Sequence, residues 1–168
     1  GLGDVYKRQI HGRTRCQMYN GAADWAKIAD VVTAVDIPVV ANGDITCLDT
    51  VQKAIDQSGA AGVMIGRGAQ GRPWLLAQAG DFLTGRAIRP TPSIGMRHHL
   101  MRAHLEDMLS HYGTAAIRLA RKHIAWYAHG LPGAAELREI ANNNSDSAMV
   151  FAAVDQFFEA LGASGVAA

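Results

Sequence analysis

Short apolar runs alternate with amphipathic stretches along the first half of the chain. Residues 37–41 and 62–66 are apolar throughout and partly β-branched, which is typical of strands buried on both faces of a parallel sheet. Residues 22–35 and 46–57 carry apolar side chains at helical spacing. Residues 10–14 resemble the end of a further strand and its loop. The order β-α-β-α-β predicts an α/β fold with a parallel sheet.

The pattern changes after residue 85. Two prolines, Pro90 and Pro92, disfavour helix within residues 86–95, which we interpret as a linker. No strand pattern follows, and a helical bundle is predicted over 96–162, with a short tail at 163–168. Its four helices are predicted at 96–112, 114–130, 134–142 and 147–161.

Composition and charge exclude several classes of protein. Hydrophobic residues make up 49% of the 168 residues, which argues against intrinsic disorder. Lys and Arg number 16 and Asp and Glu 15, so any nucleic-acid surface must be local. No apolar run approaches the ~20 residues of a membrane span, and no membrane partner is expected. Two cysteines form no disulfide framework, which favours a reducing, cytoplasmic location.

Glycine-containing loops follow two of the predicted strands. The first loop contains Asn42, Gly43 and Asp44, and the second begins with Gly66 and Arg67. The carboxyl ends of parallel strands carry the ligand site, and glycines there let backbone N–H groups approach an anion. The arginine adds charge and a planar set of donors. A phosphate-type ligand is therefore indicated, although tight turns also use glycine and remain an alternative.

A third strand end brings His11 to the same edge of the sheet. A lone histidine is as often structural as functional, and both interpretations stay open. Cys16 has no identifiable base to activate it, and Cys47 is interpreted as a packing residue. No spacing of His or Cys matches a metal site, so no metal is expected.

A basic stripe is predicted on the second helix of the bundle. Arg118, Arg121 and Lys122 share one face, and Trp126 lies beside it. Charge for phosphates and an aromatic ring for exposed bases suit RNA. The alternative is an ordinary solvated face with the tryptophan in the core.

Four ordered motifs closely resemble flavin-dependent tRNA-dihydrouridine synthases, with the bacterial B-type branch nearest. The motifs are at residues 11–25, 38–45, 63–74 and 121–133. The resemblance runs from about residue 10 to residue 161. It implies that residues 10–85 are the C-terminal part of an FMN-binding (β/α)8 TIM barrel, followed by an all-α tRNA-binding domain.

The resemblance also implies roles for particular residues. By matching position, Asn42, Gly43, Asp44, Gly66 and Arg67 would form the FMN-phosphate loops, and His11 would contact the flavin. The residues predicted to bind tRNA remain those of the basic stripe, Arg118, Arg121, Lys122 and Trp126. The implied reaction is reduction of a tRNA uridine to 5,6-dihydrouridine by NAD(P)H. Reduced flavin gives hydride to C6 and a cysteine acid gives a proton to C5. The base must leave its stack to react.

The sequence departs from the family in its length and its cysteines. A (β/α)8 barrel needs typically ~250 residues, and the family's cysteine acid lies in the barrel's first half. Neither cysteine of this chain matches that motif, so no catalytic residue is assigned here. We expect a C-terminal fragment that is inactive alone, from a full-length monomer, with residues 1–9 a non-native leader. The alternatives are a non-catalytic tRNA-binding module and another phosphate-binding TIM-barrel oxidoreductase.

Overall fold

The computed structural model describes residues 6–165. Residues 1–5 of the predicted leader and residues 166–168 of the predicted tail lie outside the described residues. The chain is mixed α/β, mostly helical, with one small parallel sheet. The predicted α/β class is therefore confirmed. None of the helices in the described part has the length and apolar composition needed to cross a bilayer.

The chain divides into two compact units. One contains the residues up to 69 together with 73–89, and the other contains 70–72 together with the residues from 90 onward. All strands belong to the first unit. The division falls after Arg89, inside the segment that the sequence predicts to be a linker.

The sheet of the first unit is fully parallel. Its strands are β1 (Arg8–His11), β2 (Val39–Asn42) and β3 (Gly62–Met64). They pair in the order β1-β2-β3, with His11 opposite Asn42 and Asn42 opposite Met64. The three strands therefore end side by side at one edge of the sheet, as the strand pattern predicts.

Strand β1 begins within the predicted leader. Arg8 and Gln9 pair with Val39 and Val40, and the N–H of Arg8 donates to the carbonyl of Pro38 at 2.9 Å. Because these two side chains are polar, the sequence predicts only the end of this strand, at residues 10 and 11. Parallel pairing uses backbone groups, so exposed polar side chains are compatible with it.

Three helices accompany the sheet. They are α1 (Ala26–Ala34), α2 (Leu48–Ser58) and α3 (Trp74–Leu83). One apolar cluster packs Ile28 against Val39 and Ala41, and a second packs Val51 against Ile45 and Ala79. These clusters keep the sheet and its crossover helices together, and so fix the loops at the strand ends.

The ends of the helices follow local chemistry that the sequence predicts only in part. Gly59 ends α2 in the left-handed conformation, as expected from its sequence position. The N-cap of α2 is Cys47, which forms a capping box with Thr50. Helix α3 ends at Leu83, and the N–H of its C-cap residue Thr84 donates to the carbonyls of Gly80 and Phe82.

The described part of the second unit is helical. Its helices are α4 (Ile94–Tyr112), α5 (Ala116–Tyr127), α6 (Ala134–Asn143) and α7 (Ser147–Ala163). Helix α4 starts two residues before the predicted position because the Ser93 hydroxyl accepts from the Met96 N–H and caps it. Met101, Ile124 and Val154 are fully buried in its core.

Candidate functional site

Polar groups link the three strand ends. The Asn42 amide nitrogen donates to the carbonyl of Met64 at 2.9 Å. The His11 Nδ1–H donates to the Asn42 carbonyl at 3.1 Å. A carbonyl oxygen only accepts, so Nδ1 of the exposed His11 ring carries the proton of this hydrogen bond. The structure therefore brings the predicted residues His11 and Asn42 together.

Two glycines let the loops pack closely against each other. Gly43 has φ +121°, and a Cβ there would lie 2.6 Å from Ala23 Cβ and 2.7 Å from His11 Nδ1. A Cβ on the buried Gly68 would overlap the carbonyl oxygen of Ile45. A Cβ on Gly66 would meet only the Met64 sulfur, at 3.9 Å. The close approaches at Gly43 and Gly68 are therefore made by protein atoms, whereas Gly66 faces open space.

The strand ends also offer backbone donors. Four N–H groups there donate no hydrogen bond to any of residues 6–165, and they belong to Gly43, Asp44, Gly66 and Arg67. Gly43 is itself buried, and a buried N–H without an acceptor is unusual in a folded protein. This edge of the sheet is therefore rich in unused donors.

The carboxylate of Asp44 is already neutralised by protein groups. Its Oδ2 accepts from Arg13 Nη2 at 2.6 Å and from the Ala23 N–H at 2.7 Å. Partial burial raises the pKa of Asp44, but these hydrogen bonds and the charges of Arg13 and Arg67 outweigh it and hold the pKa below its usual value. Asp44 is therefore ionised and paired, and it adds no free negative charge to the site.

The guanidinium of Arg67 lies over an aromatic ring. Its Cζ is 4.3 Å from the centre of the exposed Tyr19 ring. Arg67 is exposed at the start of the loop that follows β3. Because Asp44 is paired with Arg13, the positive charge of the exposed Arg67 is available to an anion at these loops.

Arg13 and Tyr19 are residues of this site that the sequence analysis did not select. The Arg13 side chain is only 4% exposed, and its Nη1 has no hydrogen-bond partner within residues 6–165. The sequence signal for Arg13 was a charged residue two positions after the end of β1. Its ion-pair partner, Asp44, is 31 positions away in the sequence.

The predicted RNA-binding residues of α5 differ in their surroundings. Arg118 and Lys122 are exposed, and the Lys122 ammonium lies 5.9 Å from the centre of the half-buried Trp126 ring. Arg121 instead donates to the carbonyls of Ala141 (3.1 Å) and Asn144 (3.3 Å) at the end of α6.

Two histidines pack beside this part of α5. The ring centres of His104 and His123 are 4.7 Å apart, and His123 contacts Trp126 edge-on at 5.0 Å. Burial lowers the pKa of His123, and the neighbouring His104 and Lys122 lower it further. His123 is therefore neutral at pH 7, and the positive charge of this surface comes from lysine and arginine.

Neither cysteine is packed in a core. Cys16 and Cys47 are both free and exposed, so the packing role predicted for Cys47 is wrong. Hydrogen bonds from Thr50 lower the pKa of the Cys47 thiol, as its N-cap position explains. Within residues 6–165 no group of three His, Cys, Asp or Glu side chains could hold a metal ion.

Comparisons with known proteins agree on one family. The family described as dihydrouridine synthase (Dus) matches residues 7–161. A probable tRNA-dihydrouridine synthase of Rhodobacter capsulatus is 50% identical over 89% of this chain and 46% of its own length. One of Rickettsia bellii is 43% identical over the same shares. The tRNA-dihydrouridine synthase B of Xanthomonas axonopodis is 40% identical over 90% of this chain and 46% of its own length.

The chain spans about half the length of the curated relatives it matches. The four motifs noted in the sequence lie inside the matched range. Because this match covers most of the residues, the chain belongs to the dihydrouridine synthase family.

Proposed function

We propose that this chain is the C-terminal half of an FMN-dependent tRNA-dihydrouridine synthase that reduces uridine in tRNA with NAD(P)H. Family membership and the names of the relatives support the reaction. The parallel sheet supports a partial (β/α)8 barrel, because β1 and β3 have no further neighbour among residues 6–165. In a closed barrel both outer edges would be paired.

The donor-rich edge of the sheet is the observation that carries the assignment of FMN. Its unused N–H groups at Asp44, Gly66 and Arg67 suit the phosphate, together with the Arg67 guanidinium. The neutralised Asp44 does not oppose an anion. The residues present therefore fit the phosphate end of FMN.

When bound, FMN supplies the hydride chemistry that links NAD(P)H to the uracil ring. In this proposal Arg67 and the loop N–H groups hold the phosphate, and Asn42 fixes the spacing of β2 and β3. His11 would contact the flavin, with its Nδ1–H held by the Asn42 carbonyl. The acid that protonates C5 lies outside this chain, so the chain alone is inactive.

The second unit is proposed to bind the tRNA. Arg118 and Lys122 are exposed cations on one helix, and Trp126 lies beside them. Such a surface attracts phosphates without reading sequence. Arg121 contributes charge only indirectly, because its donors are used on the carbonyls of Ala141 and Asn144. The protein is proposed to act in the cytoplasm as a monomer.

The proposal is tested on the protein made from the complete reading frame that contains this chain. We expect it to bind FMN, and to form dihydrouridine in unmodified tRNA when NAD(P)H is present. Arg67→Ala should weaken FMN binding about tenfold or more, since a charge-assisted contact to phosphate is lost. The exposed Arg138→Ala is the matched control and should bind FMN normally. A wild-type protein that binds no FMN would refute the proposal.

A further inference from the structure

One side chain, that of Arg13, holds the loop after β1 in place. Arg13 Nε donates to the carbonyl of Asn20 at 3.3 Å, and its Nη2 donates to the carbonyl of Gly21 at 2.6 Å. The same Nη2 pairs with Asp44 in the loop after β2. The guanidinium therefore fixes the loop after β1 relative to the loop after β2.

Tyr19 lies next to this anchored segment and points its ring at the third loop. The residue is 67% exposed to solvent, yet one face of its ring is covered by the Arg67 guanidinium at 4.3 Å. Met18, just before it, has φ +49°, a left-handed conformation that a methionine rarely adopts. This conformation occurs in the turn immediately before Tyr19.

Within the described part of the chain, Tyr19 lies outside the two apolar clusters that pack against the sheet. Its side chain instead contacts a cation at the proposed phosphate site. A guanidinium stacked on an aromatic face loses freedom of movement but keeps its N–H donors in the plane, free to bind oxygen atoms.

We propose that Tyr19 is a positioning residue, which holds the Arg67 guanidinium over the donor-rich edge so that it meets the phosphate of FMN. The chain of contacts runs from Asp44 through Arg13 to the loop of Tyr19, and from Tyr19 to Arg67. All three strand-end loops are thereby linked. This inference rests on the proposed function and adds a residue that sets selectivity for the phosphorylated flavin.

The test compares FMN with riboflavin, which lacks the phosphate, on the protein from the complete reading frame. Tyr19→Leu removes the aromatic face, whereas Tyr19→Phe keeps it and is the matched control. We expect Tyr19→Leu to weaken FMN binding about two- to fivefold, the range of an exposed cation–π contact. Riboflavin binding should not change, and Tyr19→Phe should match the wild type for both ligands. Affinities are measured by quenching of flavin fluorescence.

The ratio of the two affinities separates positioning from general structure. A residue that only supports the fold would weaken FMN and riboflavin by the same factor, and that result would overturn the inference. Unchanged FMN binding in Tyr19→Leu would overturn it as well, while leaving the proposed function intact. Failure of the wild type to bind FMN would instead refute the proposed function, and the role of Tyr19 with it.

Discussion

Asp81 is a nearly buried carboxylate on α3, and its side chain is 7% exposed. Arg89 donates to it through Nε at 2.6 Å, through Nη2 at 3.0 Å and through its backbone N–H at 3.3 Å. The side-chain hydrogen bond from Arg89 is the main reason that the pKa of Asp81 falls to about 2. This ion pair connects α3 to Arg89, the last residue of the first unit.

The pair makes the stability of the first unit depend on pH. A carboxyl group with a lowered pKa stabilises the fold above its unfolded-state pKa, and the contribution is lost as pH falls to the folded-state value. We expect the contribution of Asp81 to be complete above about pH 4 and to decrease towards about pH 2. Asp81→Asn should therefore lower Tm at pH 7, and the difference from the wild type should shrink in acid.

Thermal unfolding followed by circular dichroism at several pH values measures this difference. The exposed Asp36→Asn is the control, and its Tm should follow that of the wild type throughout. A Tm difference for Asp81→Asn that stays constant from pH 7 to pH 3 would contradict the role given to the ion pair.

Helix α5 shows how neighbouring cations on one element can serve different purposes. Arg121 and Lys122 are adjacent and both basic, but only Arg121 bonds to the carbonyls at the end of α6. Lys122 is exposed beside Trp126. Their helical spacing predicted a single RNA-binding stripe, because spacing indicates the helix face on which a residue lies but not the groups that its side chain contacts.

Substitutions in α5 should separate stability from tRNA binding. Arg121→Met removes two hydrogen bonds from a charged donor and should lower the free energy of unfolding by about 1–3 kcal/mol. Lys122→Ala should leave that free energy unchanged but weaken tRNA binding and reduce its salt dependence. Urea unfolding and filter binding at two salt concentrations provide the two measurements. Equal tRNA binding by Lys122→Ala would remove this residue from the interface.

At the scale of the whole molecule, the chain divides into two units, and an exposed segment connects α3 of the first unit to α4 of the second. Residues 83–91 are exposed, and α4 begins only at Ile94. The second unit has its own apolar core, with Met101, Ile124 and Val154 fully buried. The segment between α3 and α4 is therefore accessible to a protease, whereas the helices of the second unit pack around its apolar core.

Limited proteolysis should report this division. Arg86 lies in the exposed segment, and the bond after Arg89 precedes Pro90 and resists trypsin. We expect an early tryptic cut after Arg86 that releases a helical C-terminal fragment, identified by mass spectrometry. Arg86→Gln should abolish this early product without changing the helical signal. Early cuts distributed within α4–α7 would contradict a stable second unit.

The sequence by itself determined the elements whose causes are local. Apolar runs predicted β2 and β3, a glycine predicted the end of α2, and two prolines predicted the break near residue 90. Motifs of fixed order also identified the family, because such motifs are contiguous in the chain. The polar start of strand β1, Arg8 and Gln9, and the N-cap at Cys47 were missed, since pairing and capping depend on neighbours that a local pattern does not contain.

Only the tertiary structure decided which side chains meet. Parallel pairing places His11 beside Asn42, and it brings Asp44 to Arg13 across 31 residues of sequence. The structure also shows that close contacts between loops require glycine at positions 43 and 68. These relations depend on register and crossover geometry, which no single segment encodes. The edge at which the three strands end could therefore be predicted from the sequence, but the contacts that support its loops could not.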